Sequence, residues 1–256
     1  MEDLLSVKRE KPKMILFDYG QTLLLETKFN GIKGIEAVME YATANKDGKS
    51  PEEIVDFMDE MNNEVGRHIT NAKHLYQLEV PDISYKRYVF DYFGIEFSKS
   101  YAELEEIYWD NAAPAIKSDG VDEMLEYLYK NDIRTGVISN ISMQSSLLIN
   151  RINRLLPENH FEFIITSSDY VFRKPQRRIF KLALKKADLA AKDVWYCGDN
   201  AFCDVDGSSA CGMLPVWYTA VLKANSMQPS CEDYIHIDNW KKLIEIIEET
   251  KKVSED

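Results

Sequence analysis

Met14-Ile-Leu-Phe17, running directly into Asp18-Tyr-Gly20-Gln-Thr22, decides the reading of this chain. Four apolar residues without alternation fit a strand buried on both faces, and the abrupt change to polar residues and glycine marks the loop at its carboxyl end. From Leu25 to Pro114 the pattern turns to helical spacing, with Ser50-Pro-Glu-Glu53 and Ser100-Tyr-Ala-Glu103 reading as capping boxes at two helix starts. After Pro114 strands and helices alternate. Helices are expected at Val121–Lys130, Gln144–Leu155, Gln176–Ala187, near Asp206–Cys211 and at Trp240–Lys251; strands are expected at Arg134–Ser139, Glu162–Thr166 and Val194–Cys197, with an apolar run at Met213–Tyr218. Strands separated by single helices imply a parallel sheet covered on both faces. The expected fold is therefore α/β, a doubly wound parallel sheet built from 1–24 and 115–256, with 25–114 inserted as a smaller all-helical block.

Bulk properties narrow the partners. The chain has 256 residues, 45% hydrophobic and 29% charged, which is enough to bury a sizeable core. A net charge of −12 argues against nucleic acid and anionic membrane surfaces, since both need an excess of Lys and Arg. No stretch approaches the roughly 20 apolar residues of a membrane span, and the first residues do not read as a secretory signal, so a cytoplasmic location is expected. Cys197, Cys203, Cys211 and Cys231 form no C-x-x-C pair and are expected as reduced packing thiols. Nothing in the sequence fixes an oligomeric state.

In an open parallel sheet, ligands bind beyond the carboxyl ends of the strands. The polar residues that follow the apolar runs are Asp18, Ser139-Asn140, Lys174, and Gly198-Asp199 with Asp204. In this order they resemble the four motifs of the haloacid dehalogenase superfamily: a strand-end Asp, a strand-end Ser or Thr, a Lys before Pro, and Gly-Asp followed by a second Asp. The resemblance spans residues 13–220.

The chemistry of these residues points the same way. Asp18, with an ordinary carboxyl pKa near 4, is ionised at neutral pH and is suited to attack phosphorus covalently. Three carboxylates at one crevice repel each other and an anionic substrate unless a cation joins them, and an all-oxygen set of few protein ligands selects magnesium. Ser139 and the amide of Asn140 are donors for phosphoryl oxygens, and Lys174 supplies positive charge, so Ser139, Asn140 and Lys174 are the expected substrate contacts. Arg173, Arg177, Arg178 and Lys181 add a local positive field that draws in a small phosphorylated or otherwise anionic substrate. Thr22 reads as a loop-bonding residue. The resemblance further implies that the metal is held by Asp18, the carbonyl of Gly20 and Asp199, with Asp204 in an outer role, and that 25–114 is a cap over the site.

One position departs from the family. Its phosphatases carry a second Asp two residues after the first, which protonates the leaving alkoxide; this chain has Gly20. Proton transfer of that kind contributes roughly 10²–10⁴-fold. Three readings stay open: a phosphatase that manages without that acid or borrows one from the cap, other hydrolysis such as C–P or C–halogen cleavage, and a binding or regulatory protein. Phosphonate cleavage needs a cap lysine, for which Lys33, Lys46, Lys49 and Lys73 qualify by location, and Phe29, Tyr76, Tyr85, Arg87 and Tyr88 are candidates to line a cap.

Overall fold

The computed structural model describes residues 9–65, 78–222 and 226–254. In chain order the elements are β1 (Met14–Phe17), β2 (Leu24–Glu26), α1 (Gly31–Met39), β3 (Ala42–Asn45), α2 (Pro51–Glu64), α3 (Asp82–Tyr92), β4 (Ile95–Phe97), α4 (Tyr101–Ala112) and β5 (Ala115–Lys117). There follow α5 (Val121–Lys130), β6 (Arg134–Ser139), α6 (Ser145–Leu155), β7 (Phe161–Thr166), α7 (Ser167–Tyr170), α8 (Arg177–Ala187), β8 (Val194–Gly198), α9 (Gly207–Ser209), β9 (Leu214–Tyr218), β10 (Ile235–Ile237) and α10 (Trp240–Ser254).

Six strands form one parallel sheet in the order β10-β9-β8-β1-β6-β7. β1 lies between β6 and β8, which explains its unbroken apolar run: alternate side chains serve opposite faces, and both faces are covered. Ile15 and Phe17 join the core formed with α5, α6 and α10, whereas Met14 and Leu16 pack with Ile179, Phe180 and Ala183 of α8. The sheet is doubly wound, as the alternating pattern requires. After β7 the chain crosses back over β1 to start β8, so the switch in strand order falls at the carboxyl end of β1.

The insert between β1 and α5 is largely helical, and both expected capping boxes are present: the Ser50 and Ser100 hydroxyls accept from the amides of Glu53 and Glu103, whose carboxylates accept from the serine amides in return. It is not all-helical. β3 and β4 pair antiparallel inside it, and β2 pairs with β5 where the chain leaves and re-enters the sheet region. These strands have three or four residues, too few to display a period of two in sequence. The apolar faces of α1 and α4, through Ile35, Val38, Tyr108 and Trp109, belong to the same hydrophobic cluster as Phe17 and Leu148. Burial thus ties the helical layer to the sheet directly. No helix among the described residues is long and apolar enough to cross a membrane.

Candidate active site

The carboxyl ends of β1, β6 and β8 deliver Asp18, Ser139 and Asp199 to one cavity of about 200 Å³, which Gly20, Asn140, Lys174 and Asp204 also line. Every site residue expected from sequence therefore reaches the same place. Asp18 continues the ladder of β1 by donating its main-chain N–H to the Cys197 carbonyl at 2.8 Å, which fixes the point where its side chain leaves the sheet.

Lys174 is the centre of the arrangement. Its ammonium donates to Asp18 Oδ1 at 2.7 Å, to Asp204 Oδ1 at 2.6 Å and to the Tyr196 hydroxyl at 2.8 Å, matching its three hydrogens with three acceptors. Tyr196 passes its own hydrogen to the Ile138 carbonyl at 3.1 Å. Burial works against the lysine's charge, but the carboxylates of Asp18 and Asp204 more than offset it and hold its pKa above the ordinary lysine range. The backbone of Lys174 is locked by Asn140, whose side-chain oxygen accepts from the Lys174 amide at 2.7 Å and whose side-chain nitrogen donates to the Lys174 carbonyl at 3.0 Å. The Asn140 side chain thus places Lys174.

Asp204 arrives by a wide turn of π type, Ala201–Asp206, started by Asn200, whose side chain accepts from the amides of Phe202 and Cys203. The short helix expected near Asp206–Cys211 is present directly after this turn, as Gly207–Ser209. Asn200 was the available signal for the turn, being a strong N-cap residue just after the Gly-Asp pair. Gly198 makes the approach of Asp204 possible, since a Cβ on it would lie 2.5 Å from the Asp204 carboxyl carbon. Both oxygens of Asp204 are taken, Oδ1 by Lys174 and Oδ2 by the Asn200 amide at 2.9 Å.

Three carboxylates face one ammonium, and the electrostatics record the imbalance. Burial, opposed by Lys174 and reinforced by Asp204, pushes Asp18 up to about 6. Burial together with the charges of Asp204 and Asp18 pushes Asp199 up to about 8. One oxygen from each of Asp18, Asp199 and Asp204 lies within 4.8 Å of the others. An all-oxygen donor set with residual negative charge fits a hard divalent cation. The Asp18 and Asp199 carboxylates and the Gly20 carbonyl suit direct ligation, while Asp204, with both oxygens engaged, suits an outer position.

Other expectations fare differently. Of the four nearby cations, Arg173 alone lines this cavity, where it is paired with the buried Glu79, which also accepts from Ser167 Oγ at 2.6 Å. Thr22 is fully buried, but its hydroxyl has no hydrogen-bond partner among the described residues, so it is not the loop-bonding group expected. The turn is closed instead by the amides of Leu23 and Leu24, which both donate to the Tyr19 carbonyl. Lys46 and Lys49 are paired with Glu96 and Glu53, and neither they nor Lys33 line the cavity; Lys73 and Tyr76 lie outside the described residues. Phe29 lines a separate cavity of about 470 Å³ with Met58, Tyr108 and Met143, whereas Tyr85 is buried and Tyr88 is exposed, stacked on Tyr92. All four cysteines are unbridged thiols.

Sequence reasoning missed Tyr196 and Glu26. Glu26, at the end of β2, lines the cavity and accepts at Oε1 from the Tyr19 hydroxyl, Trp109 Nε1 and Arg151 Nη1, each at 3.0 Å. Burial raises its pKa against the opposing effects of Arg151, Tyr19 and Trp109. A carboxylate 125 residues from its arginine partner leaves no local trace in sequence.

Comparison with known proteins places this geometry in a class. The model of the haloacid dehalogenase-like hydrolase family matches residues 15–217, and the chain belongs to that family of hydrolases. It is 29% identical over 123 residues to the human haloacid dehalogenase-like hydrolase domain-containing protein 3, covering 47% of this chain and 48% of that protein. It is 28% identical over 131 residues to the glyceraldehyde 3-phosphate phosphatase of Pyrococcus furiosus, covering 50% and 53%. The chain thus spans about half the length of these curated relatives. The 2-haloacid dehalogenase of Pseudomonas syringae pv. Tomato DC3000 has the same fold, with a TM-score of 0.66, 23% identity and coverage of 93% of this chain and 99% of that one. A HAD phosphatase from Thermococcus onnurineus shares it at a TM-score of 0.59 and 19% identity, covering 91% and 97%.

Proposed function

We propose that the chain is a magnesium-dependent phosphatase that cleaves a small phosphorylated metabolite through a phosphoryl group carried on Asp18. The observation that carries this reading is the convergence of Asp18, Asp199 and Asp204 within 4.8 Å of one another beside a single lysine. Displacement at a carbon–halogen bond asks for one carboxylate; a cluster of three serves an anionic reaction centre only when a cation joins it. The phosphatases among the relatives support the same choice.

Asp18 Oδ1 is held by Lys174, which leaves Oδ2 to attack phosphorus in line with the departing oxygen. The Ser139 hydroxyl and the Asn140 main-chain N–H donate to the phosphoryl oxygens, and Lys174 stabilises the charge that builds up on them. Magnesium bound by Asp18, the Gly20 carbonyl and Asp199, with Asp204 behind, supplies neutralising charge and a template for in-line geometry. Residues 25–114 act as a cap that excludes water over a core made of 1–24 and 115–256. The substrate is small and anionic, nucleic acid and membrane surfaces are not partners, and the cytoplasm is the place of action.

The test is a panel of phosphorylated metabolites assayed for released inorganic phosphate with magnesium and with chelator. Chelation is expected to lower turnover on the order of a hundredfold or more, the equivalent of losing about 3 kcal/mol of transition-state stabilisation, and added magnesium to restore it. A chelator-insensitive rate overturns the metal-dependent reading and brings metal-free displacement forward.

A further inference from the structure

Cleavage of a phosphate ester leaves an alkoxide unless a proton reaches the departing oxygen, and the water that later attacks the phosphorylated carboxylate must lose one. The residues lining the 200 Å³ cavity allow few sources for these protons. Arg173 does not give up its proton at working pH, and the Lys174 ammonium is saturated by three acceptors. Asp18, Asp199 and Asp204 form the acid cluster itself. Glu26 is the one lining carboxylate that stands outside that cluster.

Its setting suits the task. The three donors from Tyr19, Trp109 and Arg151 all converge on Oε1, which fixes the plane of the carboxyl and leaves Oε2 outside this set of bonds. The side chain is about a fifth exposed, at a wall of the cavity. At Gly20, in the loop that joins Asp18 to Glu26, nothing lies within 4 Å of the place a Cβ would take, so no side chain screens that stretch of the wall.

We propose that Glu26 is the acid–base residue of this site, protonating the departing ester oxygen and then accepting a proton from the attacking water. The proposal rests on the phosphatase reading above. In the first step Asp18 Oδ2 forms a bond to phosphorus, the bond from phosphorus to the ester oxygen breaks, and that oxygen keeps the electron pair and takes the proton of the Glu26 carboxyl. In the second step water forms a bond to phosphorus and gives a proton to the Glu26 carboxylate. The Asp18–phosphorus bond breaks, inorganic phosphate leaves, and both carboxyl groups return to their starting states.

The experiment compares the full chain with Glu26→Gln, in magnesium, on 4-nitrophenyl phosphate, whose leaving group needs no proton, and on glycerol 3-phosphate, whose leaving group does. Glutamine keeps an acceptor for all three donors. Read as release of the leaving group in the first turnover, before the water step that both substrates share, the expected result is a loss of roughly 10²–10⁴-fold on glycerol 3-phosphate and less than about tenfold on 4-nitrophenyl phosphate. Glu26→Asp, which keeps the acid but withdraws it by one methylene, is expected to show the same ordering with smaller losses and covers the case in which the glutamine variant does not fold. Equal losses on both substrates in that first-turnover release assign Glu26 a purely structural role and overturn the proposal while leaving the phosphatase reading intact. If the natural chain releases phosphate from neither substrate nor from any member of the metabolite panel, both fall.

Discussion

Asp18→Asn is expected to abolish turnover, by on the order of 10⁴–10⁶-fold, while leaving the protein folded and no less stable than the natural chain. The amide cannot attack phosphorus, but its oxygen can still accept from Lys174. Stability follows from the direction of the pKa. A carboxyl whose folded-state pKa is raised binds its proton more tightly in the native state, so ionising it costs stability as pH climbs from the unfolded value near 4 toward about 6. Asp199 extends the same cost toward about 8. Metal-free natural protein should therefore lose stability between pH 4 and 8, and Asp18→Asn should flatten the lower part of that curve. Thermal unfolding in chelator across this range reads the effect directly; turnover by the variant, or a sharp fall in its stability, defeats the nucleophile assignment.

Lys174→Met is expected to be the most damaging single change, removing both turnover and stability. It strips the cation from a group of three carboxylates, of which Asp204 is fully buried, and leaves Tyr196 and Asp204 without the donor they share. Breaking a buried ion pair from one side costs about 3–5 kcal/mol, which in a chain of this size lowers the unfolding temperature by roughly 10 °C. The deficit should shrink at low pH, where the carboxyls take up protons, and magnesium should raise the variant's unfolding temperature more than the natural protein's. An unfolding temperature unchanged at pH 7 contradicts this account of how the cluster is held together.

Much of this arrangement is legible in the amino-acid sequence. β1, β6 and β8 are central strands buried on both faces, so each ends in an unbroken apolar run, Gly136-Val-Ile138 in the case of β6, and the residue that breaks the run is the one delivered to the crevice. Asp18, Ser139 and Asp199 stand out for that reason, and Lys174 through its place before Pro175. What escapes depends on distance along the chain. Tyr196 lies inside an apolar strand, where nothing distinguishes an aromatic that reaches a buried lysine from one that merely packs. Asn140 meets the backbone of a residue 34 positions away, and Arg151 meets Glu26 across 125. Among short strands, β2 to β5 and β10 have too few residues to impose a period on the sequence, which is why the insert reads as helical throughout.

The hydrogen bonds on Glu26 Oε1 carry a mechanical consequence. Trp109 belongs to α4 in the helical layer, Arg151 to α6 beside the sheet, and Tyr19 to the turn after Asp18, and Arg151 in addition holds Asp110 of α4 at 2.7 Å and the Ala113 carbonyl at 3.0 Å. This carboxyl is therefore a keystone wedged between separate parts of the chain. If α4 lifts from α6, the indole is withdrawn, water reaches the carboxyl, and the burial that raises its pKa disappears. A splayed molecule would still present Asp18 and Lys174 side by side, yet its glutamate would behave like any solvated surface acid. Proton supply from Glu26 therefore depends on the contacts that hold α4 against α6.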